Sequence, residues 1–280
     1  MSDKLKNFFI RAISGVVMFA VVLGAILGSK WSFGALVMLI TLGGEWEFYR
    51  LAKKAGTSPQ CAAGLLAGAL MIAAMVAILY NQLAITIVAM VMFMLLIPMP
   101  LIFELYRKSA TPMANVGITY AGVIYVALPM TLLMFFPTML GAGNGWQPWS
   151  VIFYIFIIWA NDVFAYLFGI TLGKHRLFER ISPKKSWEGF FGGLLGAMAM
   201  GWVAAIVLGA SVQMWIGLAL VAAISGVFGD LVESLMKRSV DVKDSGNIIP
   251  GHGGWLDRFD ALILSAPFVF VYACIYAFIF

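Results

Sequence analysis

Charge is scarce in this chain, and so are cysteine and histidine. Of 280 residues only 11% are charged, with two cysteines and two histidines among them. Cys61 and Cys274 stand far apart, which excludes a disulfide framework and any zinc site of the usual spacing; both fall in apolar runs and read as packing residues. A soluble domain carries about 25% charged and about 45–50% apolar residues, whereas this one is 62% hydrophobic with a mean hydropathy of +0.97. No folded soluble chain could hide that much apolar surface. A soluble enzyme, a nucleic-acid-binding protein and a disordered chain are excluded together. The expected class is an all-α polytopic membrane protein with the lipid bilayer as its surroundings and no nucleic acid as partner. The net charge of +5 then bears on orientation and on anionic head groups.

The gaps between charges count the spans. Charge-free runs cover Ala12 to Ser29, Trp31 to Gly44, Ala55 to Phe103, Ser109 to Asn161, Gly189 to Gly229 and Ala261 to Phe280. One crossing needs about 20 residues, so the three long runs hold two helices each and about nine transmembrane helices are expected. Turns are expected at Asn81-Gln82, between Gly141 and Pro148, and between Gly209 and Gln213. The second run is short and must extend through Glu45 and Glu47 towards Arg50. The first span reads as an uncleaved anchor, since no small-residue cleavage site follows it. With the N-terminus cytoplasmic, 17 of the 18 Lys and Arg residues fall on the cytoplasmic side and only Lys30 lies outside, as the positive-inside rule asks. An odd number of spans puts the C-terminus outside.

The outer loops also lack acids altogether: all 13 acidic residues fall on the cytoplasmic side or in helices near it. Two segments, roughly Gly169 to Glu188 and Lys237 to Asp260, are longer than a connector needs. Residues 1–155 accordingly read as an N-terminal transmembrane scaffold and 156–280 as a catalytic transmembrane domain with a cytoplasm-facing site. Asp162, Asp230 and Glu233 interrupt apolar helices, where a charge costs about 2.5–3.5 kcal/mol at the bilayer centre; either function or a helix–helix hydrogen bond could account for them. Asp230, Glu233 and Lys237 share one helix face. From Asp230 to Asp260 the chain holds six acids and four bases. Clustered carboxylates suit Mg²⁺ rather than zinc, and clustered bases suit phosphates. Gly251, Gly253 and Gly254 around His252 could let backbone N–H groups approach a phosphate, or form a plain turn. His252 itself could act as an acid or base, a phosphate donor or a turn residue, and His175 reads as a solvated surface histidine. Ser182-Pro183 reads as a turn or helix start beside Lys184 and Lys185, which are suited to an anionic head group. The glycine pairs Gly64/Gly68 and Gly189/Gly193 offer small-residue helix contacts or nothing specific.

The run from Ser234 to Asp260, with its K-R, K-D, P-G-H-G-G and D-R-F-D elements, resembles the signature of the phosphatidate cytidylyltransferase (CDP-diglyceride synthase) family. W-A-N-D-V-F-A-Y-L-F-G from Trp159, S-P-K-K-S-W-E-G from Ser182, and Gly229-Asp230 support it. Trp255 departs from the smaller aliphatic residue usual after H-G-G. The resemblance implies a multi-pass membrane enzyme of phospholipid biosynthesis, often a homodimer, that joins CTP and phosphatidate into CDP-diacylglycerol and pyrophosphate. It implies Mg²⁺ and, in some members, a second cation such as K⁺. It matches Asp230 and Asp257 to the family's metal-binding aspartates, and puts Lys237, Arg238, Lys243, Asp244 and His252 in the site. With these, Arg258 and Asp260 are expected to take part in catalysis, and Ser182, Lys184, Lys185, Asp162, Gly253 and Gly254 to bind substrate. The expected location is a bacterial-type cell membrane. A transporter would place charges near the midplane of two matching halves, and no internal repeat is present. A CTP-dependent polyprenol or phytol kinase shares the chemistry but not the full run of motifs.

Overall fold

A computed structural model of the chain describes residues 3–141, 145–248, 251 and 253–279, with side chains from Ala12 onward. Helices α1 (Asp3–Gly28), α2 (Lys30–Lys54) and α3 (Cys61–Leu79) are followed by α4 (Leu83–Leu96) and α5 (Met99–Arg107). Then come α6 (Pro112–Gly122), α7 (Leu128–Leu133), α8 (Phe136–Met139) and α9 (Pro148–Leu172). Strands β1 (Arg176–Phe178) and β2 (Ser182–Ser186) precede α10 (Trp187–Leu208), α11 (Val212–Arg238) and α12 (Leu256–Ile279). Seven helical stretches among the described residues are long and apolar enough to cross a membrane. The protein is a multi-pass, all-α integral membrane protein.

Local chemistry explains the boundaries. Ser29 and Ser32 form a reciprocal cap that restarts the chain as α2 one residue after α1 ends. Pro112 and Pro148 sit in the first turns of α6 and α9, where the missing N–H is harmless. Asn81 and Gly209 take left-handed φ of 55° and 62° at the expected turns. Pro98 separates α4 from α5, and one π-helical turn, Val123–Ala127, joins α6 to α7. Ser182-Pro183 forms neither a turn nor a helix start. Ser182–Ser186 is a strand paired antiparallel with Arg176–Phe178, and the helix begins only after Ser186, whose hydroxyl accepts from Gly189 N–H at 3.1 Å.

The chain packs as two compact units, Met1–Met134 with Ser239–Phe259, and Phe135–Arg238 with Asp260–Phe280. In the first, the buried ring of Tyr49 lies between Gly64 and Gly122 and its hydroxyl donates to Thr119 O at 2.8 Å. Glu104 accepts from Gln60, Arg107 and Asn115 at 2.8–2.9 Å, tying α3, α5 and α6 together. In the second unit, Trp215, Tyr154 and Phe136 are fully buried, and Tyr154 bonds Ser265 of α12. Glycines on α10 set its distance from α9. A Cβ on Gly192, Gly193 or Gly196 would run into Phe168, Asn161 or Phe164, so only a small-residue face allows this approach.

Candidate active site

The close contact of α9 and α10, capped by the β1–β2 hairpin, leaves a cavity of about 490 Å³ within the second unit. Asp162 and Tyr166 of α9 line it, with Arg176, Lys184 and Lys185 from the hairpin and Asp230 from α11. Strand alternation splits the hairpin's side chains: Lys184 is exposed while Lys185 is half-buried and pairs with Asp230 at 2.5 Å. The hairpin is braced from behind by Glu188, whose carboxylate meets His175 Nδ1 at 2.7 Å. His175 is thus exposed but paired. Three cations and two carboxylates around one opening can take a group rich in phosphate oxygens.

Beside this cavity a carboxylate cluster is built by α11 and α12. Gly229 allows it: a Cβ there would stand 3.0 Å from the Ala261 Cα, so the two backbones touch where Asp230 and Asp260 emerge. One oxygen each of Asp230, Glu233 and Asp260 lies within 4.8 Å of the others. Ser234 Oγ donates to Asp230 at 3.3 Å, and the buried pair Glu233–Lys237 closes the inner side. Mg²⁺ takes oxygen ligands at about 2.0–2.1 Å, so neighbouring ligand oxygens stand about 3–4 Å apart. Three hard carboxylates at this spacing, with no sulfur or imidazole in the cluster among the described residues, fit such an ion after small rotations of the side chains.

In the first unit, the loop before α12 wraps two further carboxylates. Asp257 Oδ2 accepts from Gly254 N–H at 2.8 Å and from Ser245 N–H at 2.9 Å, and lies 3.0 Å from Ser245 Oγ. Glu47 of α2 accepts from Ser245 Oγ at 2.7 Å and from Leu256 N–H at 3.0 Å. Gly253 has a φ of 82°, and a Cβ on it would lie 2.6 Å from Asp257 Oδ2. These glycines therefore let the loop close on carboxylates.

The residues expected from sequence divide between these places. Asp162, Lys184, Lys185 and Asp230 line the cavity, and Asp230 and Asp260 share the cluster with Glu233, while Ser182 opens β2. Arg238, Lys243, Asp244 and Arg258 are exposed at the segment's surface. Gly253, Gly254 and Asp257 form the loop in the first unit, and His252 lies outside the described residues. Sequence reasoning did not assign Arg176, Asn161, Glu233 or Glu47 to the site. For Arg176 the sequence carried no signal, because the hairpin that pairs it with Ser186 is not legible there; for Glu47 it was only an acid inside an apolar helix.

A model described as the cytidylyltransferase family matches residues 9–276. The phosphatidate cytidylyltransferase of Rickettsia bellii is 38% identical over 157 residues, which cover 53% of this chain and 66% of that protein. The enzymes of the same name from Staphylococcus epidermidis and Staphylococcus aureus are 44% identical over 119 residues, 42% of this chain and 46% of theirs. The matched stretches thus cover less than two thirds of each relative's own length.

Proposed function

The chain belongs to the cytidylyltransferase family, and from that premise we propose that it transfers the cytidylyl group of CTP to phosphatidate, giving CDP-diacylglycerol and pyrophosphate. The observation that carries this reading is the cavity edged by Arg176, Lys184 and Lys185 beside the Asp230, Glu233 and Asp260 carboxylates. Cations next to a hard-oxygen cluster are what a reaction between two polyanions calls for. The relatives' shared name agrees with it.

In the proposed reaction a phosphate oxygen of phosphatidate attacks the α-phosphorus of CTP. The bond from that phosphorus to the bridging oxygen breaks, and pyrophosphate leaves with the electron pair. The nucleophile is already anionic near neutral pH, so no strong general base is needed. The demands are to hold two negative groups together and to stabilise the charge that builds on the leaving group. Asp230, with Glu233 and Asp260, would hold Mg²⁺, which when bound supplies charge neutralisation at the phosphates. Lys184, Lys185 and Arg176 would take phosphate oxygens, with Lys237, Arg238, Lys243 and Arg258 as further cations. Asp257, which the family resemblance matches to a metal-binding aspartate, would be a further ligand for the ion, and Ser182, Asp162, Gly253 and Gly254 would contribute to binding. The site would open to the cytoplasm, where CTP is dissolved, and phosphatidate would enter sideways from the leaflet. Pairing of two copies belongs to the same proposal and is read from the mass in detergent.

The test is incubation of the purified protein in detergent–phosphatidate micelles with α-labelled CTP, with and without Mg²⁺. Label should enter the lipid phase, matched by pyrophosphate release, and a chelator should stop both. No transfer by folded protein, with label from γ-labelled CTP entering lipid instead, would replace this reading with a lipid kinase.

A further inference from the structure

Glu47 lies on α2, far in sequence from every segment that the motifs mark, and is 0% exposed. Burying a carboxylate is costly unless its bonds are made, so its partners matter. One is Leu256 N–H at 3.0 Å, reached across 209 residues of sequence. Leu256 opens α12, and its N–H belongs to the group that a helix leaves unsatisfied at its start. Glu47 does there what a local capping side chain does elsewhere, favoured by the positive end of the helix dipole.

Its other partner connects it to Asp257. Ser245 Oγ lies 2.7 Å from Glu47 Oε2 and 3.0 Å from Asp257 Oδ2. A hydroxyl carries a single hydrogen, and the shorter approach assigns it to Glu47. Ser245 is thereby held with its backbone N–H on Asp257 at 2.9 Å. Gly246 and Gly254 both close on the same carboxylate: a Cβ on them would stand 2.8 and 2.5 Å from Glu47 Cδ. A leucine at position 47 would fill the space but strand the Leu256 N–H and let the Ser245 hydroxyl turn to Asp257 Oδ2.

We propose that Glu47 is a positioning residue for the reaction: through Ser245 and the first turn of α12 it sets the orientation of the Asp257 carboxylate. The inference rests on the reading of Asp257 as a carboxylate that turnover requires.

The test uses the full chain in phosphatidate micelles, with Mn²⁺ binding followed separately by electron paramagnetic resonance in the absence of substrate. Glu47→Ala should lower kcat about 10–100-fold and weaken Mn²⁺ binding in the same sense as Asp257→Asn. The KM for CTP should stay within about twofold. Glu47→Gln, which keeps an acceptor oxygen, should recover part of the loss. The double variant Glu47→Ala/Ser245→Ala should be no worse than the poorer single variant, because both act through one path. Wild-type kcat and Mn²⁺ affinity in Glu47→Ala, or losses in the two single variants that simply multiply, overturn the proposal. If the alanine variants do not elute as folded protein, Glu47→Gln and Ser245→Ala decide, and wild-type turnover in both overturns it. Normal turnover in Asp257→Asn would instead sink the reading of Asp257 beneath it. A dead Asp257→Asn beside an unaffected Glu47→Ala would sink the positioning role alone.

Discussion

Asp230 and Glu233 sit one turn apart on α11, yet their surroundings make them unequal. Glu233 is 1% exposed and faces the Lys237 ammonium, which is 9% exposed. Removing one partner of a buried pair costs about 3–5 kcal/mol, so Glu233→Gln should lower the melting temperature in detergent clearly. Asp230 opens onto the cavity, and its pair with Lys185 is part-exposed on both sides; such pairs contribute about 0–1 kcal/mol. Asp230→Asn should therefore fold and melt nearly as wild type while turnover falls at least about 100-fold. Thermal unfolding and the label-transfer assay, run on both variants, check the contrast. Equal melting temperatures would show that the buried pair is not a stability element. Glycines divide in the same manner. Gly254 has no room for a methyl group beside Glu47, whereas a Cβ on Gly117 meets nothing within 4 Å. Overpacking costs about 1–3 kcal/mol, so Gly254→Ala should destabilise and Gly117→Ala should not, by the same melting measurement.

At the scale of elements, the β1–β2 hairpin and the α9–α10 pair are the parts that make an opening out of apolar helices. The glycine face of α10 fixes the helix separation, and the hairpin lays Lys184 and Lys185 along the rim. Because these lysines contribute little to stability, their loss reads out function directly. Lys185→Gln should leave the melting temperature within about 2 °C of wild type and raise the KM for phosphatidate, measured by varying its mole fraction in the micelles. An unchanged KM would remove the hairpin from head-group binding. The strand itself was hidden in the sequence. S-P-K-K-S lacks the β-branched and aromatic residues that mark strands, and it becomes one because Arg176–Phe178 is held opposite to it.

For the whole molecule, the expected arrangement is nine crossings with cations inside. Seven stretches meet the length and hydropathy needed, and α1 and α2 would supply the other two. In a chain whose Cys61 and Cys274 are replaced by alanine, single cysteines report the side of each loop. A membrane-impermeant maleimide added to intact cells should label Gln82→Cys, Gly145→Cys and Ala210→Cys, and should spare Ser109→Cys and Lys243→Cys. Labelling of Lys243→Cys would turn the site to the other face and refute access of CTP from the cytoplasm.

Composition alone settled the class, because 62% apolar residues leave no soluble solution and backbone groups in lipid must satisfy one another within helices. The runs between charges gave the helices and most turns, since in a bilayer charge marks where a span ends. The acids and bases of the chemistry were legible too, as polarity in such a sequence is rare enough to stand out. Which carboxylates meet was decided only in three dimensions. Asp230 and Asp260 are brought together by the bare backbone at Gly229, and Glu47 reaches Ser245 and Leu256 across about two hundred residues. Hydropathy records whether a residue tolerates lipid; it holds no term for which helix lies beside which, and that adjacency is set by side-chain volume at the crossings.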